Sequence, residues 1–335
     1  LKYLSERWLC VGAGALLGMW TPLASLAIAE PHSGVPVSPA TLLNAWWIDG
    51  SEGLDISGLS FCDGELLAVA DKVSEQIFQL SPESDRDSVA LKTKAGFTRP
   101  SLPDDQPVPL KARALHVASP SLSMDFEGIT CDADGIYLLS ERYNRIARLN
   151  SIESRGEWLP VRWSESAKTR GFLRVFNAES EGVAKIGDDF WVALERDPRG
   201  LLKLHAGDQE GRDFRVVPEV KGLDFRGRSE DIAGLAAYDG ALFTLERNAF
   251  AVCRRNVESL QAEWCIHYHD VEEGSEFVYL DTRFGKGEGL AVNERGIFVV
   301  LDNNGIGRAA APEDTRGLLL HLAFPEAEME GGNRI

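Results

Sequence analysis

The sequence predicts an all-β fold: a single β-propeller of five blades, with room for a degenerate sixth, closed by an N-terminal strand. Three observations predict it. A short motif recurs five times, as Ile56-Ser57-Gly58-Leu59, Phe126-Glu127-Gly128-Ile129, Ser180-Glu181-Gly182-Val183, Ile232-Ala233-Gly234-Leu235 and Gly287-Glu288-Gly289-Leu290. Each copy opens an apolar run, then a polar turn, then a second apolar run ending in Asp71, Glu141, Glu195, Glu246 or Asp302. Finally, an unpaired apolar run at 43–48 precedes the first copy. Repetition at a long period marks one supersecondary unit copied along the chain. Three or four antiparallel strands per unit, repeated radially, make a propeller blade.

Taken in order, residues 1–29 read as a secretory signal. Lys2 and Arg7 precede an almost uncharged run, and Ala27-Ile28-Ala29 ends it in a small-residue exit before Glu30 and Pro31. A membrane anchor is the competing reading, and Pro22 interrupts the run it would need. Residues 30–42 read as a linker and 43–324 as the propeller. The runs at 66–70, 136–140, 190–194, 242–245 and 297–301 follow Asp63-Gly64, Asp134-Gly135, Gly187-Asp188-Asp189, Asp239-Gly240 and Arg295-Gly296, which is hairpin chemistry. A third strand is expected after each, at 77–80, 145–149, 201–204, 251–254 and 318–324. Helical periodicity is weak, with one or two turns at most near 257–263.

The motif glycines lie 70, 54, 52 and 55 residues apart. The long first interval holds 81–107, rich in Ser, Asp, Pro and Lys, which reads as an inserted loop. Extra apolar runs at 172–176, 264–269 and 277–280 leave room for the sixth blade. The last repeat lacks an outer strand, and the run at 43–48 can supply it, removing an exposed edge. Residues 325–335 read as a polar tail.

The chain has 335 residues, with 52 Asp and Glu against 35 Lys and Arg, a net charge of −17. This balance argues against nucleic acid and anionic membrane surfaces as partners. Export to the periplasm or medium is expected, with no membrane attachment after signal cleavage. Four cysteines follow the signal. Cys253 and Cys265 lie on consecutive strands and make a plausible disulfide, whereas a Cys62–Cys131 bridge would cross blades; the connectivity is open at this stage. Zinc held by Cys253, Cys265, His267 and His269 is the competing use.

The start of a blade's first strand and the end of its second lie at the same channel mouth. Glu127, Glu181 and Glu288 stand just before the motif glycine; Asp55, Asp125, Glu179 and Asp231 stand three before it. With the strand-end acids they should ring one mouth. So many carboxylates repel unless a cation sits among them. Calcium is the expected ion, held by Glu127, Glu181 and Glu288 with Asp125. The competing reading is a salt-bridge network, since Lys72, Arg142, Arg196 and Arg247 directly follow strand-end acids. Neighbours on a strand face opposite ways, so each cation is expected to pair across to the next blade. Candidate catalytic groups are Glu141, Arg142, Glu195, Arg196, Glu246 and Arg247. The cations among them, with Lys72 and Lys286, would grip a phosphate or carboxylate beside the ion. No Gly-x-Ser-x-Gly elbow is present, and Gly285-Lys286-Gly287 lacks phosphate-loop spacing.

Asp125-Phe126-Glu127-Gly128-Ile129 followed by Leu138-Leu139-Ser140-Glu141-Arg142, with Glu181-Gly182-Val183 and Gly287-Glu288-Gly289-Leu290, resembles the phytase-like, or esterase-like phytase, β-propeller domain family. It is also similar to the SdiA-regulated propeller family. The resemblance covers about residues 43–322 and implies an exported, calcium-associated propeller that hydrolyses phosphate or carboxylic esters. Glu127, Glu141, Glu181 and Glu288 carry it; Ser57 and Ala233 stand where the other repeats have Glu. A small-molecule ester or phosphate is the expected ligand. The alternative is a non-catalytic, calcium-stabilised propeller that binds a ligand or a protein partner.

Overall fold

The computed structural model describes residues 34–151, 154–175 and 178–325. The signal segment and almost all of the polar tail lie outside the described residues. Five separate sheets form the five blades of a propeller. The innermost strands are Ile56–Cys62, Phe126–Asp132, Ser180–Ile186, Gly234–Tyr238 and Gly287–Asn293. Each neighbours the next around the axis, and the last neighbours the first, so the ring is closed.

The second strands, Glu65–Ala70, Gly135–Ser140, Asp189–Leu194, Ala241–Glu246 and Gly296–Leu301, are buried along almost their whole length. They sit mid-blade with a neighbouring blade on each face. That is why they read as continuous apolar runs rather than alternating ones. Five apolar cores fill the clefts between successive blades. Leu67 and Val69 meet Ile129 and Leu138; Leu139 meets Val183 and Val192; Trp191 meets Leu235 and Leu242; Phe243 and Leu245 meet Leu290 and Val299; Phe298 and Val300 meet Leu59 and Ala68.

Closure follows the expected route. Leu42–Asp49 runs antiparallel to Leu318–Leu322 as the outer strand of the fifth blade, with Ala45 opposite Leu320 and Trp47 opposite Leu318. Val37–Pro39, in the expected linker, adds in parallel to Ala262–His267 at the rim of the fourth blade.

Three expectations need correction. Residues 81–107 are not a simple insertion: Lys92–Gly96 is the outer strand of the first blade, and Ser88–Ala90 adds in parallel to Leu42–Asp49. Their polar, exposed sequences hide this, because an outermost strand buries little. A helix, Leu110–Ala118, and a 3-10 turn, Pro120–Leu122, follow, whereas residues 257–263 form none. No sixth blade appears among the described residues. The run at 264–269 begins in the outer strand of the fourth blade, Ala262–His267, and ends at a short helix, His269–Glu272; Tyr279 makes only an isolated bridge with Arg308, and 172–175 is irregular.

Both disulfides are present. Cys253–Cys265 links adjacent strands of the fourth blade, and Cys62–Cys131 ties the innermost strands of the first two. The thiolates that zinc would need are therefore absent.

Candidate functional site

One local device, repeated, builds the site. In four blades the register slips at the residue before the motif glycine, so Ser57, Glu127, Glu181 and Glu288 each occupy a β-bulge. The glycine behind it is needed for close approach. A Cβ on Gly58 would lie 2.9 Å from the Gly128 Cα, on Gly128 2.9 Å from the Val183 nitrogen, on Gly182 2.7 Å from the Leu235 nitrogen, and on Gly289 3.1 Å from the Leu59 nitrogen. A second tie brings in the strand-end acid. The N–H groups of Asp71, Glu141 and Glu195 donate to the carbonyls of Asp55, Asp125 and Glu179 at 2.9 Å, and that of Asp302 to Lys286 at 2.8 Å. Both sets of side chains thus reach one mouth, around a cavity of about 680 Å³.

Asp125, Glu127, Glu181 and Glu288 all line this cavity, with Asp71, Glu141, Glu195 and Asp302. Asp71, Asp125 and Glu127 come closest together, with one oxygen from each within 4.8 Å of the others. Among the described residues, no hydrogen bond or ion pair engages the carboxylates of Glu127 and Glu181. Burial, then repulsion from Glu141, Asp125 and Asp71, holds the Glu127 carboxyl well above the usual range. Burial and Glu195, Glu141 and Glu127 do the same to Glu181. Asp125 is pushed up to about 9 by burial and by its hydrogen-bonded neighbour Asp71. Glu141 and Asp302 rise to about 7, chiefly by burial. Asp71, Asp125 and Glu127 converge as an all-oxygen donor set suited to a hard divalent cation, and two of them, Asp125 and Glu127, resist ionisation without one.

The other side of the cavity is neutralised internally. Arg247 donates through Nε to Asp231 at 2.9 Å, through Nη1 to both Glu288 oxygens at 2.8 and 2.9 Å, and through Nη2 to Glu195. Glu288 still rises to about 7, because burial outweighs this partner. Glu288 is therefore an arginine partner as well as a cavity residue, unlike Glu127 and Glu181.

The cations do not all pair across blades as expected. Lys72 bonds Asp55, and Arg142 bonds Asp125 at 2.7 Å, each within its own blade. Arg196 pairs with the adjacent Glu195. Arg247 reaches back to Glu195 and onward to Glu288 as well as to its own Asp231. Bending of the chain after the second strand, outside the pleat, releases the alternation that would have turned these side chains apart.

Of the catalytic candidates, Glu141, Glu195, Arg196 and Arg247 line the cavity. Arg142 lines a second cavity, of about 700 Å³, between the second and third blades. Glu246 lines neither. It is wholly buried and bonded by Arg199, by Arg255 at 2.7 Å and by Thr244 at 2.9 Å, which hold its carboxyl below the usual range despite burial. Its place in the repeat is that of Asp71 and Glu141, but the shorter interval from Gly234 sets it inside the blade.

Asp71, expected at the mouth as a strand-end acid but not among the ion's ligands, joins the closest cluster. Two neighbours of the site carry no signal in the repeat. Glu272, pushed up to about 8 by burial, accepts the Lys286 N–H at 2.8 Å. Buried Tyr268 abuts Gly287, and nothing in the repeat marks it.

No protein-family model matches the chain, and no curated protein does. Solved structures do. The glutaminyl cyclase of Myxococcus xanthus superposes with a TM-score of 0.51 at 11% identity, over 88% of this chain and 100% of that one. The PQQ-bound aldose sugar dehydrogenase of Streptomyces coelicolor gives 0.44 at 14% identity, over 84% and 98%. A gluconolactonase of Xanthomonas campestris gives 0.38 at 10% identity, over 88% and 99%. At such identities the likeness is one of fold alone.

Proposed function

We propose that this chain is an exported, calcium-dependent propeller hydrolase of phosphate or carboxylic esters, acting at the acidic channel mouth. The convergence of Asp71, Asp125 and Glu127, beside a Glu181 that no ion pair engages among the described residues, carries this reading. Those residues would hold the ion, with Glu181 at its flank. A bound divalent cation supplies charge stabilisation to a reacting ester oxygen and lowers the pKa of water. Glu141, whose carboxyl is pushed up to about 7 by burial, lines the same cavity and is the proposed proton acceptor. The arginine lattice around Arg247 keeps Glu195 and Glu288 in place. The resemblance of the motifs to the phytase-like propellers supports the same chemistry.

The test uses the purified mature chain with a chromogenic phosphate monoester and a chromogenic acyl ester. Turnover of one of them, abolished by EGTA and restored by calcium, is the expected result. If neither is cleaved while calcium still raises the melting temperature, the chain is instead a calcium-stabilised binding propeller. That second reading has one observation in its favour: Arg142, Arg196 and Arg247 are already engaged by carboxylates.

A further inference from the structure

Four cations line the acidic cavity: Arg196, Arg247, Arg283 and Lys286. Three are committed. Arg196 pairs with Glu195, Arg247 bonds three acids, and Arg283 chelates Asp281 through Nε and Nη2 at 2.8–3.1 Å. Lys286 differs. It is only 6% exposed, yet among the described residues its ammonium makes no hydrogen bond or ion pair. Its backbone is pinned on both sides, the N–H to Glu272 and the carbonyl under the Asp302 N–H, each at 2.8 Å. The flanking glycines are wedged as tightly. A Cβ on Gly285 would lie 2.1 Å from the Arg247 carbonyl oxygen, and one on Gly287 2.4 Å from the Tyr268 hydroxyl. The Gly285-Lys286-Gly287 segment is therefore a fixed mount that presents one unpaired ammonium, on a largely buried side chain, to the cavity. A cation held at the wall of a cavity without a fixed partner is placed to receive an anionic group there.

Building on the hydrolase reading above, we infer that Lys286 is the anion anchor of this site. The substrate is then an ester bearing an anionic oxygen group, phosphate or carboxylate, rather than an uncharged acyl ester. A lysine ammonium is a compact point charge with three donors, suited to such a group. The competing role is neutralisation of the surrounding acids without any contact to ligand.

Calorimetric titration of the calcium-loaded mature chain with inorganic phosphate and, separately, with acetate distinguishes the two roles without needing turnover. At least one anion binds wild type, and the arm that binds identifies the group. Lys286→Gln weakens that binding about tenfold or more, the loss of one charge-assisted contact, and Lys286→Arg restores part of it. Calcium affinity, titrated alone, is retained or rises in Lys286→Gln. If calcium fails to bind wild type, the hydrolase reading fails first. Binding of neither anion, or anion affinity in Lys286→Gln within about twofold of wild type, overturns the anchor. Acetylation mapped by mass spectrometry provides a check on unmutated protein. The bound anion should slow modification of Lys286 but not of exposed Lys221, and equal rates would also overturn it.

Discussion

Glu127 and Arg247 represent the two fates of charge in this mouth. Glu127 has no cationic partner and sits in the closest acidic cluster, so Glu127→Gln should weaken calcium binding by about tenfold or more, since charge count sets affinity in such sites. An unchanged calcium Kd would remove it from the ligand set. Arg247 is enclosed by Asp231, Glu195 and Glu288. Arg247→Met strands the fully buried Asp231, and a loss of about 3 kcal/mol in unfolding free energy is expected by denaturant titration. A variant as stable as wild type would show that the acids reprotonate at little cost. The two residues also differ in legibility. Glu127 announces itself because the bulge recurs with the motif. The partners of Arg247 depend on the path of the chain after the second strand, which strand alternation does not describe.

At the level of strands and turns, the repeated glycine is the element that sets channel width. Gly182 makes the tightest approach to backbone among the motif glycines, and Gly182→Ala should destabilise by about 1–3 kcal/mol through contact with the backbone of the fourth blade. The same change at exposed Gly207, where a Cβ meets nothing within 4 Å, should be near neutral, and comparison of the two melting curves checks the claim. Most inner and middle strands were readable, because a strand buried on both faces must be a continuous apolar run. Outer strands were not. Lys92–Gly96 carries two lysines and is largely exposed, so its pairing with Val73–Leu80 leaves almost no hydrophobic pattern. The fourth repeat shows the same limit inside the site. Glu246 matches the acidic position, yet Arg199 and Arg255, outside the motif, draw it into the blade.

For the whole molecule, the raised carboxyls make a statement about pH. Asp302 and Asp125 move from an ordinary 3.8 to about 7 and 9, and Glu141 from 4.5 to about 7. The folded chain holds protons that the unfolded chain releases, so without calcium its stability falls as pH rises from about 4 through 7 and on toward 9. A cation at the mouth relieves that penalty. The calcium-induced rise in melting temperature should be small near pH 5 and grow by about pH 8, and an increment independent of pH would contradict it.

The fifth blade joins Leu42–Asp49 to strands drawn from residues 287–322. On a ribosome the earliest part of the domain must therefore wait for almost the latest. Until Leu318–Leu322 emerges, Trp46, Trp47 and Ile48 have only the short Ser88–Ala90 strand beside them and no blade to join, and every nascent intermediate is an open arc with a sticky flank. Assembly of this ring is thus expected to be post-translational and slow, and a chain that stalls before its final strand should aggregate rather than retain partial activity.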